Sequence, residues 1–173
     1  MQSSTFNTKK VALSTLLIAL GVSISPMLWF PIMESKAFPG QHMINAVSAV
    51  LLGPWWAATI ALLIGVIRMV LGWGTIFSIP GGVPGALVVG LSYWLLDRLT
   101  KKYRELAALT EPLGTIFIGG TLAVYLFAPL VGREMFLIPI WIGWAFSSIP
   151  GSILGLTVLG VLKAAGLSRT TFQ

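Results

Sequence analysis

MINAVSAVLLGPWWAATIALLIGVIRMVL, the stretch from Met43 to Leu71, decides how this chain is folded. It is apolar enough for a membrane. It is also too long for one straight helix across a hydrocarbon core, which takes about 20 residues. Gly53-Pro54 stands in its middle. A proline can merely kink a membrane helix, so the stretch reads either as one long span or as two helices joined at Leu52-Gly53-Pro54.

Charge chooses between them. The interval Asp97–Glu111 holds Arg98, Lys101, Lys102 and Arg104, and the N-terminus holds Lys9 and Lys10. Basic loops favour the cytoplasmic side. Two sites on one side need an even number of spans between them, and only the break at Gly53-Pro54 supplies it. The chain then has six helices, at about 10–30, 42–52, 55–71, 79–97, 112–131 and 138–163, with both termini in the cytoplasm. Lys9, Lys10, Arg98, Lys101, Lys102, Arg104, Lys163 and Arg169 fall inside, Lys36 and Arg133 fall in outer loops, and Arg68 lies within a helix.

Composition agrees with an all-α integral membrane protein forming a single domain over 1–173. Hydrophobic residues make up 56% and charged residues 9%, and mean hydropathy is +0.91. A soluble domain so poor in charge would have no surface to show water. The net charge of +6 is explained by cytoplasmic loops, and no basic run interleaved with aromatics points to nucleic acid. The chain has no cysteine, which excludes disulfides, thiolate metal sites and cysteine catalysis. Lys9-Lys10, the run Val11–Val22 and Ser23-Ile24-Ser25 have the outline of a signal peptide. The apolar run continues to Phe30, however, long enough to span and stay.

Chemistry is excluded more readily than assigned. There is no phosphate-binding glycine loop of the G-x-x-x-x-G-K-[ST] type. His42 is the only histidine, so neither a zinc protease nor a serine triad can be built. The five carboxylates, Glu34, Asp97, Glu105, Glu111 and Glu134, are expected in loops or at helix ends, with no acid inside the membrane to couple to an ion gradient. The expectation is a protein that is not an enzyme and holds no metal or cofactor.

Small residues recur at helical spacing: Ala57, Ala61 and Gly65; Gly81 and Gly85; Gly151 and Gly155. Close helix packing accounts for these. A further stripe, Thr15, Ala19 and Ser23 with Ala12 on nearly the same face, either packs internally or offers a groove to another membrane subunit.

Arg68 follows Pro54 by about 21 Å of helix, which places it in the outer third of the bilayer. It either snorkels to the outer headgroups or faces a polar pocket, holding a ligand or pairing with Glu134 or Glu34. Polar and aromatic residues gather at that depth: Gln41, His42 and Asn45 at the mouth of the second helix, Tyr125 from the fifth, Trp141 and Trp144 from the sixth. The tryptophans suit an interfacial belt, but Trp141 and Trp144 share a helix face. With Asn45 and Arg68 they could line a small-molecule site.

The residues that carry a resemblance are Pro39-Gly40-Gln41-His42-Met43-Ile44-Asn45, Leu51-Leu52-Gly53-Pro54-Trp55, Ile67-Arg68 with Gly72 and Gly74, and Ile79-Pro80-Gly81. Together they resemble the ThiW family of substrate-binding S components of energy-coupling factor (ECF) vitamin transporters. The resemblance implies a six-helix bundle in the plasma membrane of a prokaryotic cell. It implies capture of a thiamine precursor, hydroxyethylthiazole, at the outer face. Uptake then requires a transmembrane T component and two cytoplasmic ATPase subunits. The pocket expected on depth and chemistry comprises Gln41, His42, Asn45, Arg68, Tyr125, Trp141 and Trp144. Such S components often carry Ala-x-x-x-Ala on the first helix. Here position 16 is leucine, which leaves Ala12, Thr15 and Ala19 as the nearest docking face. Two other functions fit the composition: a self-sufficient carrier or channel for a small solute, and a membrane scaffold without transport.

Overall fold

The computed structural model describes residues 7–32 and 35–172. It consists of helical rods and one short hairpin. In chain order these are α1 (Thr8–Ile24), the antiparallel strands β1 (Phe30–Ile32) and β2 (Ser35–Ala37), α2 (Pro39–Leu52) and α3 (Pro54–Val70). A single 3-10 turn (Ile76–Ser78) precedes α4 (Val83–Leu99). The helical run α5 (Arg104–Leu130) and the long α6 (Leu137–Ala164) complete the bundle. Three helical runs, Ile76–Leu99, Arg104–Leu130 and Leu137–Ala164, are long and apolar enough to cross a membrane, and Pro54–Val70 is a shorter apolar helix.

The deciding stretch is two helices. Gly53 has φ +95° and ψ 173°, a conformation closed to residues with a side chain, and its N–H bonds the Ala49 carbonyl to close α2. Pro54 then opens α3, where its missing N–H costs nothing. The turn is pressed against the C-terminal segment, since a Cβ on Gly53 would lie 2.9 Å from Arg169 Nη2.

α2 is the axis of the molecule. Every residue from Pro39 to Leu52 except Met43 is buried, so the other helices wrap it. The small-residue stripes make that possible. A Cβ on Gly151 would meet the Pro39 carbonyl, and one on Gly155 would lie 2.7 Å from Ala46 Cβ. Gly90 approaches Pro54 Cα equally closely, and Ala57 and Ala61 are fully buried. The first and last described residues meet at one end of the bundle, where Asn7 Nδ2 donates to the Phe172 carbonyl at 3.2 Å. Arg169 stacks over Tyr93 at that same end.

Four elements differ from the expected bounds. α1 ends at Ile24 rather than near residue 30, because Pro26 cannot continue the helix and Phe30–Ile32 pairs with Ser35–Ala37 instead. α2 starts at Pro39, three residues before 42, with proline at its first turn. α4 begins at Val83 rather than 79, after the 3-10 turn. α5 starts at Arg104, well before 112. Its first turns (Arg104–Thr110) are 3-10, and Ala107 and Ala108 are fully buried there. Further along, Leu113–Gly119 and Ala123–Phe127 are wide π turns. Such turns are uncommon and gather at functional sites.

Candidate functional site

Gln41, His42 and Asn45 occupy the first two turns of α2, with Asn45 one turn below the other two. The neighbouring helices enclose them. α3 brings Arg68, the start of α4 brings the Gly82 carbonyl, and α5 brings Glu111 and Thr115, which are four apart and so share a face. Asn45, Glu111 and Thr115 are completely buried. His42 stands ten residues above the end of α2, or about 15 Å, so this cluster lies near mid-bundle.

Glu111 is its centre. Asn45 Nδ2 donates to Oε1 at 3.0 Å, and Thr115 Oγ1 donates to the same oxygen at 2.8 Å. His42 Nδ1 lies 2.8 Å from it. In its Nδ1–H tautomer the imidazole is a third donor to this oxygen. Asn45 Nδ2 also reaches the Gly82 carbonyl at 3.1 Å, and Thr115 Oγ1 stands 3.3 Å from that of Gly81. The glycines let the backbone come this close. A Cβ on Gly85 would collide with Glu111 and Thr115, and one on Gly82 would sit 2.5 Å from Gln41 Nε2.

Arg68 forms the outer half. Its side chain is 2% exposed, so it does not snorkel. Nη1 donates to Gln41 Oε1, and the guanidinium stacks 4.1 Å over the Phe38 ring. Among the described residues no carboxylate lies within ion-pair distance of it. The expected pairing with Glu134 is therefore not formed, and Glu34 lies outside the described residues. A desolvated arginine–aromatic stack is worth about 2 kcal/mol, comparable to the insertion cost of about 2.5–3.5 kcal/mol for a mid-membrane arginine.

Four buried polar atoms of this cluster have no hydrogen-bond partner in the protein: Gln41 Nε2, Asn45 Oδ1, Arg68 Nε and Glu111 Oε2. Each such atom costs about 1–3 kcal/mol when left unpaired. Native interiors avoid this, so two such donors and two such acceptors in one cluster set it apart from the rest of the core.

Above the Phe38 ring a cavity of about 150 Å³ opens between the end of α1, the hairpin and the turn after α3. Trp29, Phe38 and Trp73 supply aromatic walls, and Lys36, Ser25 and Gly72 complete it. Phe38 thus touches both this cavity and Arg68. Its backbone N–H is held by Ser147 Oγ of α6 at 2.7 Å. A crevice at the opposite end, beside Tyr93, Arg104 and Arg169, has only about 10 Å³, room for about one water.

The structure therefore brings Gln41, His42, Asn45 and Arg68 together. Trp144 lies beside them, its ring packed on Gly81 and Gly119. Trp141 sits in the α5–α6 contact, edge-on to Phe117 at 5.0 Å, with its Nε1 unpartnered. Tyr125 is 67% exposed on the outside of the bundle, because α5 turns Ala123, Val124 and Ala128 inward there. Glu111, Thr115, Phe38 and the cavity residues Trp29 and Lys36 were missed by sequence reasoning, while Trp73, which lies at the depth of Arg68 in the sequence reading, was left out of the expected pocket. Glu111 stands where the Arg104–Thr110 turns end, in keeping with a helix-end position, but the expectation that no acid lies within the bundle is corrected: the carboxylate is wholly buried. Its signal was the Glu111-x-x-x-Thr115 spacing beside Gly114. On α1, Ala12, Thr15 and Ala19 are exposed, while Ser14, Leu17 and Gly21 face the core.

A family model described as thiamine-precursor transporter protein (ThiW) matches residues 11–165. The chain belongs to the ThiW family. It is a multi-pass membrane protein of thiamine-precursor transport, handling a small molecule. Comparison with curated proteins and with solved structures gives no match. The ThiW match spans both the polar cluster and the aromatic cavity, so the whole candidate site lies within the family's shared region.

Proposed function

We propose that this chain is the substrate-capture subunit of an ECF-type importer, taking hydroxyethylthiazole from the outer face. The observation that carries the reading is the set of unpaired buried groups on Gln41, Asn45, Arg68 and Glu111, beneath an aromatic cavity, in a chain of this family. A thiazole is a flat ring whose nitrogen accepts a hydrogen bond, and its hydroxyethyl arm both donates and accepts. Aromatic walls suit the ring, and the amide and carboxylate groups suit the arm. Trp144 packs at the edge of this cluster and is included in the proposed site.

The bundle crosses the membrane six times in this reading, with both termini in the cytoplasm of a prokaryotic cell. Basic residues at the end shared by Asn7 and Phe172 support this orientation. Energy comes from partners: a T component and two cytoplasmic ATPases. The exposed small face of α1, Ala12, Thr15 and Ala19, is the proposed contact with the T component, since small residues permit close helix approach. Mass spectrometry of the small molecule that survives gentle purification tests the capture role. A thiazole alcohol is expected. A different class of solute, or a chain that transports alone in vesicles, would replace this reading with that of a self-sufficient carrier.

A further inference from the structure

Two of the three aromatic rings at the cavity, Trp29 and Phe38, are already faced by the protein's own cations. Lys36 Nζ stands 4.5 Å over the Trp29 ring, and the Arg68 guanidinium stands 4.1 Å over Phe38. Trp29, Lys36 and Phe38 all line the cavity, and Arg68 is stacked on Phe38. Among the described residues, every charge at the cavity wall or stacked on it is positive. The nearest buried carboxylate, Glu111, is engaged by His42, Asn45 and Thr115 on the far side of Gln41. Tryptophan is the side chain that best attracts a cationic ring. Here Lys36 covers one face of Trp29.

We infer that Lys36, backed by Arg68, selects for an uncharged heteroaromatic ring and rejects a quaternary one. The site would thus admit a neutral thiazole and exclude a thiazolium, such as the ring of the finished vitamin. The inference rests on the capture reading above and adds a specificity-determining residue to it. Specificity here comes from a repulsive element as much as from an attractive one. A thiazolium entering the cavity meets like charge from two sides and must displace Lys36 to stack on Trp29. Both effects are electrostatic and act at a partly open mouth, so added salt weakens them.

The test is calorimetry on the purified full chain with three probes: hydroxyethylthiazole, its N-methylated thiazolium, and a neutral ring-carbon methyl analogue that matches the added bulk. Wild type should bind both neutral rings at least about tenfold more tightly than the thiazolium, the scale of one close like-charge contact plus one blocked cation–π face. The gap should shrink as salt rises. Lys36→Met should narrow the ratio of neutral to thiazolium affinity by gaining thiazolium affinity; Lys36→Gln should do the same. Lys36 is exposed, so neither variant disturbs the core. Equal wild-type affinity for the neutral and cationic rings, or a gap unchanged in both variants, overturns charge selection while leaving thiazole capture standing. Failure of wild type to bind either neutral ring overturns the capture reading, and this inference with it.

Discussion

Removing the Glu111 carboxylate is the perturbation whose size the structure sets most directly. Its Oε1 receives Asn45, Thr115 and His42 at 3.0, 2.8 and 2.8 Å. Side-chain hydrogen bonds in membrane proteins average about 0.6 kcal/mol and reach about 1.7, so three give about 2–5 kcal/mol. Two donors have a fallback in Glu111→Ala: Asn45 keeps the Gly82 carbonyl at 3.1 Å, and Thr115 turns to that of Gly81 at 3.3 Å. His42 Nδ1 has none, and a buried unpaired donor costs about 1–3 kcal/mol. The alanine variant is therefore expected to lose about 3 kcal/mol. Glu111→Gln keeps a carbonyl oxygen where Oε1 stands and puts an amide NH2 in place of Oε2, which has no partner in the protein, and should cost about 1 kcal/mol. Equilibrium unfolding in mixed micelles, followed by helical circular dichroism, reads both. An alanine variant as stable as wild type would refute the reasoning, and so would a glutamine variant less stable than the alanine one.

Three further outcomes follow from the geometry. Gly53→Ala should destabilise by about 1–3 kcal/mol, because φ +95° with ψ 173° is strained for any side chain and the new Cβ faces Arg169; thermal unfolding checks it. A cysteine at Lys102 should react with an impermeant thiol reagent only after the membrane is opened, and labelling of intact cells would invert the proposed topology. Ala19→Trp should abolish co-purification with the T component while ligand affinity stays within about twofold, since Ala19 lies on the exposed face of α1; normal assembly would remove that face from docking.

The break in the central stretch was legible because Lys9-Lys10 and Arg98–Arg104 demand an even number of spans between them, and Gly53-Pro54 is where the structure makes it, with positive φ at Gly53 and a helix start at Pro54. Gln41, His42 and Asn45 were legible as a group because few polar residues interrupt the apolar spans. Glu111 was not, since a carboxylate that closes a polar interval looks like the end of a loop. Only the 3-10 turns through Ala107 and Ala108 carry it inside. The hairpin was hidden in the same way, because Phe30–Ile32 is as apolar as the helix before it. Tyr125 shows why facing is hard to read in such a chain. Apolar residues line both the core and the lipid side of α5, so periodicity says little about which way a given residue points. The π turns shift that periodicity further.

The most direct test of the central claim is calorimetric titration of hydroxyethylthiazole into the purified chain and its Asn45→Ala variant. Asn45 holds the cluster together through Glu111 and Gly82, and its Oδ1 has no partner in the protein. Saturable one-to-one binding is expected in wild type, weakened by about 1–3 kcal/mol in the variant, roughly five- to 150-fold. Unchanged affinity in a folded Asn45→Ala protein, or no binding by wild type, would contradict the claim that this buried cluster captures the precursor.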